Sequence, residues 1–194
     1  MSLNIEQLEQ RLRRHPKPRQ DHGPAKRQAA VALPLLEGRR GPELAMIQRA
    51  RRVGDPWSGH MGFPGGRRDA GDASELACAI RETREEIGVD LEACAKLLCE
   101  LSDVDTGWRK DRPELLVSPF VFRLAVLPEL TLNHEVDAVV QIPLAFFLDK
   151  GNRVPHHWEW RGTRLSSDSY LYRGHRIWGL SLRMIDELLE AAQR

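Results

Sequence analysis

Between Gly62 and Val89 a tight turn runs straight into a helix carrying glutamates at i, i+3 and i+4, and no other stretch so narrows what this chain can become. Gly62-Phe63-Pro64-Gly65-Gly66 sets three glycines around a proline of fixed φ, so the backbone can turn sharply and present a carbonyl where a side chain would block an ion. Downstream, Leu76, Ile80, Thr83 and Ile87 fall within ~60° of a helical wheel, which predicts a helix over 73–87 with that face on a sheet. Glu82, Glu85 and Glu86 are expected on the opposite face. Like charges one turn apart cost about 0.2–0.5 kcal/mol per pair, and a hard divalent cation such as Mg²⁺ favours carboxylate and carbonyl oxygens. The face therefore reads as a cation site, set against a solvated acidic face tied by Arg81–Glu85 and Arg84 contacts.

The rest of the chain supplies an α/β frame for that helix. Ile5, Leu8 and Leu12 predict a short amphipathic helix over 3–14, followed at 15–27 by a Pro-, Gly- and Arg-bearing linker, so residues 1–27 read as an extension of a domain at 28–194. Strands are predicted at 28–36 and 43–50, and again at 96–102, 115–127 and 136–142. His157-Trp158-Glu159-Trp160 and Tyr170-Leu171-Tyr172 alternate like strands, and Leu182, Ile185, Leu188, Leu189 and Ala192 mark a closing helix. At 194 residues and 41% hydrophobic, the chain can bury one full core. A formal net charge of +1 gives no reason to expect a long nucleic acid or an anionic membrane as partner. No apolar run approaches the ~18 residues of a membrane span. Three widely spaced cysteines, Cys78, Cys94 and Cys99, fit a reducing compartment, so the cytoplasm is the expected location.

Arg81-Glu82-Thr83-Arg84-Glu85-Glu86-Ile87-Gly88-Val89 closely resembles the second half of the Nudix box. In the first half, Gly66 is followed by five residues and Asp72 where the general box has Glu, and eight residues rather than seven precede Arg81. That variant resembles the coenzyme A pyrophosphatase branch, whose box begins Phe-Pro-Gly-Gly-Lys-x-Asp; here Phe63-Pro64-Gly65-Gly66-Arg67-Arg68-Asp69 stands in its place. Arg49-Ala50 and Gly59 match the upstream signature of the branch, with Gly54 at its basic position and a loop one residue longer. Asn133-His134-Glu135-Val136, Ile142-Pro143-Leu144-Ala145-Phe146-Phe147 and Ile177-Trp178-Gly179-Leu180 are also similar to it.

The resemblance implies an α/β/α sandwich around a mixed sheet, with additional N- and C-terminal helices. It implies a Mg²⁺- or Mn²⁺-dependent pyrophosphohydrolase acting on a small nucleotide substrate, coenzyme A or a derivative, to give 3′,5′-ADP and 4′-phosphopantetheine. By the same resemblance Glu82, Glu85, Glu86 and the Gly65 carbonyl would hold the metals, Arg81 would brace the helix through a carboxylate, and either Glu86 or Glu135 would take the proton of the attacking water. Rival readings are a broader dinucleotide, nucleotide-sugar or nucleoside triphosphate pyrophosphohydrolase, and a nucleotide-binding module without turnover. The last commonly loses box glutamates, whereas all three are present here.

Other residues admit two readings each. Arg49 reads as a phosphate contact or a surface salt bridge, Trp108 as a base contact or a loop anchor, and Asp72 as a helix N-cap or a carboxylate supporting the metal ligands. The five tryptophans, Trp57, Trp108, Trp158, Trp160 and Trp178, also admit an adenine-stacking platform, against which Trp158, Trp160 and Trp178 are expected to pack in the core; His156-His157 reads as a surface strand end, with no metal-motif partner. Cys78, one turn before Glu82, is expected to border the site without catalysing. Homodimerisation is left open.

Overall fold

The computed structural model describes residues 4–16, 27–39, 41–53, 57–106, 115–160 and 163–193. Along the chain these form α1 (Ile5–Leu12), β1 (Arg27–Gly38), β2 (Gly41–Arg49), β3 (Met61–Gly62), β4 (Gly65–Arg67), α2 (Glu75–Ile87), α3 (Leu91–Cys94), β5 (Ala95–Glu100), β6 (Val104–Asp105), β7 (Leu115–Leu124), β8 (Val136–Pro143), α4 (Leu144–Leu148), a 3₁₀ turn (Lys150–Asn152), β9 (Arg153–Trp160), β10 (Thr163–Tyr172), β11 (His175–Trp178) and α5 (Gly179–Gln193). The main sheet runs β3-β2-β1-β7-β5, with β4 also on β1, β6 on β7 and β8 on β2. It is mixed, because β1 and β7 are parallel while the other pairings are antiparallel.

Alternation along β1 divides the interior in two. Ala29, Leu33 and Leu35 face a core shared with Ile5, Leu8 and Leu12 of α1 and Leu182, Ile185, Leu188 and Leu189 of α5. Ala30, Ala32 and Leu36 face the opposite core, built on Cys78, Ala79 and Ile87 of α2. Successive strand side chains point to opposite faces, so a strand apolar at nearly every position must be covered on both sides. The expected α/β/α sandwich is thereby formed. Burial of Ile5, Leu8 and Leu12, each no more than 2% exposed, stabilises α1 by about 2 kcal/mol per side chain, which eight residues of isolated helix could not achieve from propensity alone. A separate antiparallel sheet, β11-β10-β9, packs beside β3. Tyr170 at its centre is buried, and its hydroxyl donates to the Phe147 carbonyl at 2.8 Å.

The predicted elements are found with shifts of a few residues at their ends, and β9 and β10 form a longer hairpin than the two alternating stretches suggest. The linker from 17 to 26, together with Gly54 and Trp108, lies outside the described residues. Among the described residues no helix is long and apolar enough to cross a membrane, and all three cysteines are free thiols.

Candidate active site

The glycine turn and α2 are locked together by backbone geometry. Gly65 has φ +151°, and a Cβ there would lie 2.2 Å from the Ala30 carbonyl oxygen, so only glycine lets β4 seat against β1 at this point. A Cβ on Gly66 would meet the Glu82 carboxylate at 2.5 Å, which places the turn directly under the acidic helix. Ser74 caps α2 by accepting from the Ala77 N–H at 3.1 Å, and Gly88 ends it in the left-handed region at φ +75°. Asp72 is therefore not the N-cap. It is 8% exposed and accepts both Arg81 Nε and Nη2 at 2.9 Å, a paired carboxylate–guanidinium contact that holds the Asp72 carboxyl well below its usual range and the guanidinium well above its own.

The same guanidinium reaches the acidic face. Arg81 Nη1 donates to Glu82 at 3.0 Å and to Glu85 at 3.1 Å, so one cation is shared among Asp72, Glu82 and Glu85. Glu85 is largely exposed. Burial leads the forces that raise the Glu82 carboxyl, with Arg81 pulling it back.

Glu86 overturns the expected division of the helix. It is only 2% exposed, not on the outer face with its neighbours, because the Gly65 N–H donates to Glu86 Oε2 at 2.8 Å and draws the side chain under the turn. Burial pushes its carboxyl up to about 7; the Gly65 N–H and the charge of Arg49 oppose this, and Glu82 and Glu135 add to it. Correspondingly the buried face of α2 centres on Cys78, Ala79, Thr83 and Ile87, with Leu76 and Ile80 only partly covered. Cys78 does border the site: its thiol donates to the Gly66 carbonyl at 3.6 Å, and burial pushes it up to about 12, which keeps it protonated and unreactive at neutral pH.

Glu135 arrives from a loop pinned to the end of α2. The Asn133 N–H donates to the Glu86 carbonyl at 2.9 Å and the Thr131 N–H to the Ile87 carbonyl at 3.1 Å, while the Ala50 N–H reaches the Glu135 carbonyl at 2.7 Å. Glu135 is thus brought to Glu86 and to the end of β2, where Arg49 lies. Arg52, which the sequence reading passed over, donates to Glu135 Oε1 at 3.4 Å and to the His134 carbonyl at 3.2 Å. Its position just beyond Arg49-Ala50 was the available signal. Arg68 was also missed; it ties Gln28 at 2.9 Å to Glu75 at 3.0 Å and braces the start of α2.

The structure therefore brings together Gly65, Glu82, Glu85, Glu86, Arg81, Arg49 and Glu135. Among the described residues no three His, Cys, Asp or Glu side chains already converge as a metal cage. The contacts explain why: Arg81 spans Glu82 and Glu85, the Gly65 N–H holds Glu86 and Arg52 holds Glu135. The donor set is nonetheless all oxygen and negatively overcharged, the chemistry a Mg²⁺-class ion prefers.

A family model described as the NUDIX domain matches residues 26–160. The chain is 32% identical over 164 residues to an uncharacterized Nudix hydrolase, NudL, of Salmonella paratyphi B, covering 84% of this chain and 81% of that protein. It is 41% identical over 111 residues to an uncharacterized protein of Schizosaccharomyces pombe; this covers 55% of the chain and 33% of that protein, so the chain spans about a third of that relative's length. Among solved structures, a Caenorhabditis elegans Ap4A hydrolase superposes with TM-score 0.52 at 21% identity, covering 63% of this chain and 83% of that one. The NUDIX domain of Shewanella oneidensis NrtR, complexed with ADP ribose, gives TM-score 0.50 at 21% identity over 66% of this chain and 82% of that one. At this identity the two structures share the fold.

Proposed function

This chain belongs to the Nudix hydrolase family, and from that membership we propose that its pyrophosphohydrolase activity is directed at coenzyme A or its derivatives, cleaving the diphosphate bond to give 3′,5′-ADP and 4′-phosphopantetheine. The observation that carries the reading is the Asp72–Arg81 pair. Asp72 sits where the general box has glutamate and one residue further from Arg81, and its paired contacts at 2.9 Å make that altered spacing an ordered part of the site.

The family uses divalent metal ions, and here Glu82, Glu85, Glu86 and the Gly65 carbonyl would hold Mg²⁺ or Mn²⁺. When bound, the ions supply charge neutralisation of the diphosphate and Lewis acidity at the phosphorus, and lower the pKa of water. Arg81 positions the helix through Asp72, so that Glu82 and Glu85 stay in register over the glycine turn. Glu86 and Glu135 are the two carboxylates placed to accept the proton of the attacking water. Arg49 contributes positive charge beside Glu86 and is the proposed contact of a substrate phosphate. Trp108, the other candidate substrate contact, lies outside the described residues.

The test is a product-resolved assay of coenzyme A, NADH, ADP-ribose, Ap4A and deoxynucleoside triphosphates with Mg²⁺ or Mn²⁺. Coenzyme A should be cleaved with the highest kcat/KM. Efficient cleavage of another substrate with coenzyme A inert would overturn the branch assignment and leave the hydrolase standing; binding without any metal-stimulated turnover would overturn both.

A further inference from the structure

Trp158 and Trp178 were expected in the core, and the structure places them elsewhere. Both are half-buried, in a connected cluster of rings that also holds Trp57, His60 and His156. Trp178 is central to it, with ring centroids at 4.8 Å from His156, 4.9 Å from Trp158 and 5.3 Å from His60; Trp57 adjoins His60 at 5.9 Å. His156 and Trp158 stack nearly parallel, at 23° and 5.4 Å.

The sequence of the small sheet explains how these rings meet. Trp178 lies on β11 and His156 and Trp158 on β9, with β10 between them, so their backbones are separated by two strand spacings, about 10 Å. Opposite Trp178 in the register stands Ser169, and opposite His156 stands Ser167. Two small side chains in the middle strand leave the space over which rings from the flanking strands touch. The opposite face of the sheet carries Tyr170 and Ile177 into the core. The cluster thus forms the other face, turned to the loop that enters the glycine turn.

That loop connects the rings to the chemistry. The Arg49 N–H donates to the His60 carbonyl at 3.0 Å, and the Gly59 N–H to the Arg49 carbonyl at 3.1 Å, while the charge of Arg49 is felt by Glu86. The Ser181 hydroxyl donates to the Met61 carbonyl at 3.2 Å and fixes the start of α5 to β3. Arg49 therefore links the loop that bears His60 to the acidic face, and its guanidinium side chain is suited to phosphate. Burial, then Arg176, His60 and His157, hold the His156 imidazole below its ordinary range, so it is neutral at pH 7 and can offer both a ring face and a hydrogen-bonding edge. Trp178 lies beyond the residues that match the family model, so part of this wall is built by a portion of the chain outside the common domain.

We infer that the ring cluster of Trp57, His60, His156, Trp158 and Trp178 is the subsite for the nucleobase of the substrate, stacking the base while Arg49 and the acidic face take the diphosphate; this rests on the reading of the chain as a hydrolase of nucleoside diphosphate derivatives. Planar aromatic surfaces accept any base by its π-face, and loss of one stacking partner is expected to cost about tenfold or more in affinity.

Two measurements test it. The first is the ratio of kcat/KM for ADP-ribose to that for a base-free diphosphate diester, bis(ribose-5′) diphosphate. Trp178→Leu and Trp158→Leu should each lower this ratio about tenfold, mainly through KM for ADP-ribose, and Trp178→Phe should restore most of it. A ratio unchanged in both leucine variants, with folding intact by circular dichroism, overturns the inference and returns the rings to a packing role. The second is tryptophan fluorescence of the metal-free protein titrated with ADP and, separately, with ribose 5-phosphate. ADP should quench and ribose 5-phosphate should not, and the quench should be lost in Trp178→Leu. Equal responses to both ligands, or none to ADP, overturn the subsite. If the wild type cleaves neither diester, the proposed function is still judged on coenzyme A, and the titration alone decides the subsite.

Discussion

Two ion clusters in this molecule are built in opposite senses. On α1, Glu9 is a single buried carboxylate facing three cations: Lys96 at 2.6 Å, Arg13 at 3.1 Å and Arg123. On α2, Arg81 is a single cation facing Asp72, Glu82 and Glu85 at 2.9–3.1 Å, with Asp69 at 3.9 Å, while Glu86 is buried close by. The first cluster has more positive charge than its acid needs and ties α1 to the sheet through β5 and β7. The second is left short of positive charge, and a divalent cation would supply the deficit. A carboxylate cluster is informative by its balance rather than its size: matched or cation-rich clusters hold elements together, whereas an acid-rich one beside a glycine turn is prepared for a ligand.

The difference is open to direct test. The largest effect is expected from Glu85→Gln, which keeps volume but removes a proposed metal ligand: kcat should fall roughly a hundredfold or more while the thermal midpoint stays close to wild type, because Glu85 is exposed and its pair with Arg81 is screened. Near-normal turnover would remove Glu85 from the site.

Next in size is Glu86→Gln in metal-free buffer. The folded carboxyl titrates at about 7 against 4.5 for the ordinary group, so the folded state binds the proton more tightly than the unfolded one. Below 4.5 the group has no effect; as pH rises from 4.5 to 7 the wild type loses stability, to a total of about 3 kcal/mol above 7. The amide variant should therefore be the more stable protein at pH 8 and equal to wild type near pH 4.5, read from denaturant midpoints. Equal stabilities across that range would show that burial of the charge carries no penalty.

Smallest is Glu9→Gln, expected to lower stability by about 1–2 kcal/mol, since Lys96 and Arg13 are substantially exposed, and to leave kcat unchanged. A comparable loss of turnover would make the α1 cluster part of the site after all.

The sequence and structure agree most closely where spacing is local. The helix expected over 73–87 is found at Glu75–Ile87, and Glu82 and Glu85, three residues apart, share the Arg81 guanidinium as helical periodicity requires. Glu86 was misplaced because a helical wheel knows nothing of the Gly65 N–H, a partner twenty-one residues away that outweighs the preference of a carboxylate for water. Asp72 was ambiguous for a related reason: an acid two residues before a cap looks like a cap until the Arg81 guanidinium is in place. Trp158 and Trp178 were assigned to the core because strand alternation separates two faces without saying what each one meets; Ser167 and Ser169, which open the space between the rings, lie on the strand between theirs. The α/β pattern followed from the order of apolar stretches and the mixed sheet from the family resemblance, but short strands such as β3, β4 and β6 exist only through their pairing partners and have no periodicity of their own.

Arg11 Nη1 donates to the carbonyl of Ala192 at 2.5 Å, across 181 residues of sequence, and His15 meets Glu187 in the same seam. Contacts this distant are among the slowest a chain of such length can find. If it closes after the sheet and the acidic helix have formed, the α1–α5 seam would act as a late latch, slowing their unfolding more than it speeds their assembly.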